Sequence, residues 1–551
     1  MISDLKLFST GKFDFRLHHL LIIGILVISF SMSFLIRFQP AEFGYELHEF
    51  DPYFNFRATE FIVENGLIEY FNWHDDLSWH PIGRDISATS QVMLHITTAS
   101  FYQIFGGSSS LYDFAIIFPV IIGSLTTVII FALVRVIGGT TAGLFSSLFF
   151  AISLPIIIRG NLGWLKSEPL GLFFGLLGTY LFLSAIKSDN KKHALIKLVG
   201  GGIIIAFGLA SWGGIQFFII PLGLFFFALP FFRKDHRFLV WAIPVFTFSL
   251  LLTTLSFERP GGSFVFGLGG LALIGPTVFL IICIIIQKIS KEEKKLRNGL
   301  YFLAGTIISS IVLISANSSF AFIGLPSFRY LNAINPFLTT TIPLVDSVAE
   351  HATTTTAQSF FFLSIFMIFA GIGAWLILRN RTKQDLSSLK IPNDMTVFAL
   401  IIGLIGVYVS SAFVRLEVFA SISVVILSSI GLAILTNEIF NPSKPSTKKF
   451  FNPPRSITKI SFVIIIVILF ILPTTLPANG NWISSAKVPA TILNGGTTFP
   501  IATNDWLDAL EWIKINTPKD AVIASWWDYG YWISTMAERK SLADNSTMDS
   551  E

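Results

Sequence analysis

Five short stretches of this chain carry residue types that can do chemistry. The first reads Glu46-Leu47-His48-Glu49-Phe50-Asp51-Pro52-Tyr53. Three carboxylates and a His within six residues can hold a hard divalent cation through oxygen, although short acidic runs are more often a solvated face. The second, Arg159 to Pro169, contains Lys166 and Glu168, with Glu168 directly before Pro169 as suits the first turn of a helix. Ionisable groups at a membrane boundary are functional candidates; the plainer reading is that Arg159 and Lys166 snorkel to the interface. The third, Pro343 to His351, ends in Glu350-His351, which can ligate metal or bind an amide, though an ordinary loop is the commoner outcome. Arg415 lies between two apolar runs, with Glu417 two residues on. Its planar fork suits a phosphate or pyrophosphate, with an Arg415–Glu417 or other structural ion pair as the alternative. The fifth is Trp526-Trp527-Asp528-Tyr529-Gly530. Two indole N–H donors, a carboxylate acceptor and a phenol on a non-membrane segment read as a recognition pocket.

Membrane helices must position these groups. Of 551 residues, 53% are hydrophobic and 13% charged, against about 25% charged in soluble domains. Several apolar runs reach the ~20 residues that span a bilayer as a helix. Thirteen spans are expected: 20–36, 114–134, 142–158, 169–186, 195–210, 215–231, 238–255, 266–287, 299–314, 360–378, 395–413, 418–435 and 460–476. With the N-terminus inside, 25 of the 38 Lys and Arg residues fall on inside segments. This obeys the positive-inside rule along the whole chain and puts all five stretches on or beside the outer face. Two outer loops are long, about 37–113 and 316–359, and long loops tend to be functional. Asn437–Lys459, containing NPSKPST and FNPPR, reads as an inside linker. The lone Cys283 permits no intrachain disulfide.

After the last span, Asp505–Ile515 reads as a helix with Asn504 as its cap and acids in its first turn. Ala521–Trp527 reads as a strand. The expected architecture is a polytopic α-helical membrane domain of about 13 helices over residues 1–476. The start of a C-terminal mixed α/β extracytoplasmic domain follows over 477–551, and that domain is expected to continue beyond residue 551.

Taken together, these segments resemble the catalytic subunit of oligosaccharyltransferase, a membrane glycosyltransferase of the GT-C architecture, over nearly the whole chain. Glu49-Phe50-Asp51 with Pro52-Tyr53 resembles the family's first acidic motif, Ser347-Val348-Ala349-Glu350 its external-loop acid motif, and WWDYG its hallmark string. The resemblance implies transfer of a glycan en bloc from a lipid-linked (dolichyl) phosphate or pyrophosphate to the Asn amide of Asn-X-Ser/Thr. It implies Asp51 and Glu350 as catalytic carboxylates and Asp51 and Glu168 as ligands of Mn²⁺ or Mg²⁺. It further implies Arg415, with Lys166, at the lipid pyrophosphate, and Trp526, Trp527 and Asp528 at the Ser/Thr hydroxyl. The partners implied are lipid-linked oligosaccharide, an acceptor polypeptide and membrane lipid, with no nucleic acid and no accessory subunits, as in archaeal-type enzymes. The N-terminus is expected in the cytoplasm, with the catalytic face and tail extracellular or lumenal.

Two departures matter. The family's second acidic motif usually offers two acids two residues apart, whereas here it reads Lys166-Ser167-Glu168. The helix that lines the hydroxyl pocket lies downstream in the family, and residues 1–551 contain no such segment. Two other classes share part of the pattern. A lipid or sugar transporter predicts ionisable residues at mid-membrane, but the spans here are almost free of charge. Another GT-C glycosyltransferase using a polyprenyl-phosphate sugar shares the architecture but has no use for WWDYG.

Overall fold

The computed structural model describes residues 6–11, 13–320, 335, 348–382, 391–440, 455–477, 480–497 and 499–546. Most of the expected 316–359 loop, Ser347 included, and most of the 437–459 linker lie outside them. Among the described residues, 11 helices are long and apolar enough to cross a membrane. Two bent pairs, Thr140–Ile152 with Leu154–Gly160 (65°) and Thr356–Leu363 with Ile365–Arg379 (87°), raise the number to 13. Every expected span thus has its counterpart. Helices are the natural solution, because lipid offers no partners to an open backbone. The first bend falls where Ser153 leaves helical geometry and Pro155 opens the next piece. The second falls at Ser364, whose φ of 38° no helix accommodates.

Burial ranks the spans. Val414–Phe440 has 94% of its apolar window buried and forms the axis of the bundle, whereas Leu17–Arg37 (17%), Glu292–Leu313 (6%) and Ser456–Thr475 (6%) lie at the periphery. Arg415 therefore stands at the end of the most enclosed span among the described residues.

The first long external segment was expected as a loop and is instead largely helical, with Asp51–Phe71, Ile86–Thr89 and Val92–Phe105. The cause is legible afterwards. Pro52 sits in the first turn, and Phe54, Ala58 and Ile62, spaced by four, are all buried. The tail helix Asp505–Asn516 forms as expected, but the Asn504 side chain makes no cap bond. The expected strand shrinks to Val522–Ile523, paired in parallel with Lys540–Ser541. Beyond it the chain turns through Trp527–Tyr529 into the helix Gly530–Thr535. Gly530 permits that turn: a Cβ there would meet the Ala543 carbonyl at 2.3 Å.

The tail packs onto the segment 37–113. Leu47, Tyr53 and Leu94 share one buried cluster with Ile492, Leu510 and Trp532. Arg84 Nη1 donates to the Tyr531 hydroxyl (2.6 Å), and the Trp532 indole N–H donates to the Glu49 carbonyl (3.0 Å). Two stretches more than 400 residues apart in sequence thus form one body.

Candidate active site

Seven ionisable side chains from four parts of the chain meet at one rim of the bundle. Lys166 Nζ lies 2.6 Å from Glu49 Oε2 and 3.1 Å from Asp51 Oδ2. Arg159 bridges Glu168 (3.3 Å) and Glu350 (3.2 Å). Arg415 bridges the same two carboxylates, at 2.9 Å and 3.5 Å. The structural ion pair considered as an alternative for Arg415 is thus made with Glu168 and Glu350 and not with Glu417, which is buried and accepts from the Ser359 hydroxyl (2.5 Å).

Local sequence explains how each group is aimed. Asp51 and Glu168 both occupy the first turn of a helix, where the partial positive charge of the free N–H groups favours an anion. The Lys166 backbone is extended at the cap of the Glu168 helix, so its side chain leaves towards the first external segment. Glu49 has φ 65°, a conformation uncommon outside Gly, and it is held there by the Trp532 bond to its carbonyl. Gly163 lets the two acidic stretches meet. Its φ is +77°, its carbonyl accepts from the His48 N–H (2.9 Å), and a Cβ would strike the Glu46 carbonyl at 2.2 Å.

A buried relay ties the stretches further. Asn55 Nδ2 donates to the Leu165 carbonyl (2.8 Å), His95 Nε2 contacts Asn55 Oδ1 (2.9 Å), and the Tyr70 hydroxyl contacts His95 Nδ1 (2.6 Å). Because a carbonyl only accepts, the Asn55 amide must donate to it and so accepts from Nε2–H; Nδ1 then accepts from Tyr70. Burial pushes the His95 pKa down to about 3, which keeps this neutral tautomer. Arg37, fully buried at the end of the first span, donates to the Ser33 hydroxyl and the Ile156 carbonyl, and its own carbonyl accepts from Leu162. That braces the segment carrying Arg159.

Exposure separates the roles open to each group. The side chains of Asp51 (38%), Glu350 (29%) and Arg415 (28%) reach solvent, Lys166 and Arg159 barely do (9% each), and Glu168 does not. Burial raises the Glu49 pKa against the pull of Lys166. For Glu350 burial acts in the same sense, yet Arg159, Arg415 and Lys166 outweigh it and hold the carboxyl well below its usual range.

The WWDYG segment adjoins this lattice. Phe50, next to Asp51, packs on Trp532 (centroids 4.6 Å) and Tyr529 (5.9 Å), and Trp506 closes over Tyr529 (4.5 Å). The Trp526 indole N–H donates to Asp528 Oδ2 (3.0 Å), and Asn545 Nδ2 donates to Asp528 Oδ1 (3.2 Å). The Trp527 indole N–H is buried without a partner. Burial raises the Asp528 pKa, opposed by the bond from Trp526. The residues expected at the site therefore come together. Arg159, Glu49 and Asn545 join them. Glu49 had its signal in the first acidic stretch and Arg159 in its charge at a membrane boundary; Asn545 had none.

A family model described as Oligosaccharyl transferase STT3, N-terminal, matches residues 19–378. The chain belongs to the oligosaccharyl transferase STT3 family. It is a polytopic helical membrane protein of a glycosyltransferase family. It is 25% identical over 559 residues to the dolichyl-diphosphooligosaccharide–protein glycosyltransferase subunit STT3B of Arabidopsis thaliana, covering 96% of this chain and 74% of that one. The corresponding STT3 subunit of Dictyostelium discoideum is 26% identical over 560 residues, covering 98% of this chain and 74% of that protein. Among solved structures, the archaeal oligosaccharyltransferase AglB of Archaeoglobus fulgidus, in complex with an inhibitory peptide and a dolichol-phosphate, superposes with a TM-score of 0.73 at 18% identity. That match covers 96% of this chain and 65% of the archaeal one, so the chain spans about two thirds of that protein's length. The same archaeal protein in complex with Zn and sulfate gives a TM-score of 0.68 at 19% identity, covering 95% of this chain and 62% of that one.

Proposed function

We propose that this STT3-family chain is a catalytic subunit that transfers a glycan from a dolichyl phosphate or pyrophosphate to the Asn amide of Asn-X-Ser/Thr. The observation that carries the reading is the juxtaposition of two solvent-reaching carboxylates, Asp51 and Glu350, with an aromatic pocket whose buried Trp527 N–H lacks a partner. The orientation set by the positive-inside rule puts the N-terminus in the cytoplasm and this rim outside.

An Asn amide is a poor nucleophile, because its nitrogen lone pair is delocalised into the carbonyl. Asp51 and Glu350 each accept one amide N–H, which orients the nitrogen and weakens that delocalisation. The nitrogen attacks the anomeric carbon, a C–N bond forms with inversion, and the C–O bond to the lipid phosphate breaks. The amide proton passes to one of the two carboxylates. Arg415, the cation of the lattice that reaches solvent, stabilises the charge that develops on the departing phosphate. The Ser or Thr hydroxyl two residues on accepts from Trp527 N–H and donates to Asp528. A pocket built for a hydroxyl rejects its absence, because the pocket's polar groups are then left unpaired.

Mn²⁺ or Mg²⁺ is the cofactor that Asp51 and Glu168 would hold, and a bound cation would neutralise the leaving phosphate. The residues fit it poorly as they stand. Glu168 Oε2 is buried without a hydrogen bond and is free to ligate. However, the other Glu168 oxygen is taken by two arginines, Lys166 sits against Asp51, and no three acid, His or Cys groups among the described residues converge as ligands. No step above is routed through a metal.

The reading is tested by gel mobility of a fluorescent Asn-X-Thr peptide incubated with the full-length protein and native lipid-linked oligosaccharide. A shift abolished by Asp51→Ala and by a Gln-X-Thr peptide supports it. With intact donor and folded protein, no shift refutes it.

A further inference from the structure

We infer that Lys166 is the resident cation of the Asp51 half of this site: its ammonium supplies the charge compensation that a divalent ion would bring. The wild-type centre therefore takes up such an ion only weakly. The inference rests on the function proposed above, with Asp51 as a reacting carboxylate and Asp51 and Glu168 as the residues that would hold a metal.

Three observations carry it. The ammonium touches Glu49 and Asp51 together, and Lys166 is itself the cap residue of the helix that carries Glu168, so an ion bound at Asp51 competes with it. The lysine is also built in rather than loosely placed. Its N–H donates to the Trp164 carbonyl (2.7 Å), its Nζ lies 5.2 Å from the Trp164 ring, and the preceding Leu165 carbonyl is tied by Asn55 to the helix that begins at Asp51. Its side chain is nine-tenths buried, so expelling it to make room for a metal means moving that braced segment.

The charge balance points the same way. Glu49, Asp51, Glu168 and Glu350 face Arg159, Lys166 and Arg415, leaving one net negative charge. A divalent ion added to that set makes a mostly buried cluster net positive. With a neutral residue at 166, the same ion would balance it. A hard divalent cation also needs about six oxygens, and Glu168 Oε2 is the one buried carboxylate oxygen of the lattice without a hydrogen bond. A fixed ammonium, already oriented, gives weaker stabilisation than a dication but needs no reorganisation during reaction.

The test is a Mn²⁺ titration of the purified full-length protein, following loss of the free-ion electron paramagnetic resonance signal. It compares wild type with Lys166→Met, Lys166→Asp and Lys166→Asp combined with Asp51→Asn. Removing a like charge a few Å from the ion is expected to tighten Mn²⁺ binding at least about tenfold in both single variants. The Asp51→Asn change should cancel the gain. Wild-type transfer should persist with chelator, and any transfer by Lys166→Asp should become chelator-sensitive. Wild-type binding as tight as that of both single variants overturns the inference, as does a gain that survives Asp51→Asn. If Lys166→Asp fails to fold, Lys166→Met against wild type decides. Absence of wild-type transfer under all conditions counts against the proposed function, and the binding comparison still stands.

Discussion

The ionic lattice and the WWDYG pocket adjoin, yet they are built in opposite ways. In the lattice all the ion pairs but one link distant residues: Arg415 reaches Glu168 across 247 positions and Lys166 reaches Glu49 across 117, while Arg159 and Glu168, nine apart, are the local exception. In the pocket the key bonds are local, Trp526 to Asp528 two residues away and Asn545 to Asp528 seventeen away. The physical reason is the cost of a buried charge. An ion removed from water without a partner costs several kcal/mol, so groups as enclosed as Glu168 and Lys166 exist only where distant elements deliver counter-charges. Aromatic contacts such as Phe50 on Trp532 tolerate many geometries, so a half-exposed segment can shape itself and be docked as a unit. Charge in this protein is placed by the whole fold, whereas the polar bonds of the WWDYG segment are set largely within a short string.

Substitutions can break or sharpen that contrast. The largest effect is expected for Arg415→Ala, which removes the solvent-reaching cation and leaves Glu168 and Glu350 to Arg159 alone. Steady-state glycopeptide formation should fall about 10²–10³-fold in kcat, with little change in peptide KM. A loss confined to KM would place Arg415 in acceptor binding instead. Next comes Trp527→Phe, which deletes the unpartnered N–H. The preference for an Asn-X-Thr over an Asn-X-Ala peptide should drop at least about tenfold, and an unchanged ratio would remove Trp527 from the hydroxyl site.

His95→Phe probes the brace inside the lattice, between the Asp51 helix and the Lys166 segment. It takes one partner from the Tyr70 hydroxyl and leaves Asn55 Oδ1 unpaired, at about 1–3 kcal/mol, and calorimetry should show a lower Tm. The pH dependence has a definite sign. The folded pKa of His95, about 3, lies below the ordinary 6.5, so below pH 6.5 the unfolded chain binds the extra proton. Its contribution to stability is complete above pH 6.5 and is lost as pH falls towards 3. The drop in Tm over that range should be shallower in His95→Phe than in wild type; parallel curves would exclude the buried neutral imidazole. The smallest effect belongs to Trp526→Phe. One net hydrogen bond is worth about 0.5–1.5 kcal/mol, so turnover should fall a few-fold at most. A loss as large as that of Trp527→Phe would mean that the two indoles act as one unit.

Periodicity made the spans legible, because about 20 apolar residues in a row have one stable form in lipid. The same physics hid the external helices. Phe54, Ala58 and Ile62 are too few to stand out beside whole apolar spans, though their spacing is helical. The strand expected at Ala521–Trp527 was shortened by the close docking of Gly530 on Ala543 and Asp544, which turns the chain early.

Residue type alone determined which side chains were candidates, since a carboxylate, a guanidinium or an indole has the same chemistry wherever it lies. It also determined the membrane architecture and the rim on which the candidates sit. Only the tertiary structure decided the pairings: that Lys166 faces Asp51 rather than lipid, that Arg159 is shared by Glu168 and Glu350, and that the Trp526 N–H is spent on Asp528 while that of Trp527 is not. Such pairings depend on which distant segments are brought within a few Å in a dry setting, and no local pattern in the chain encodes that distance.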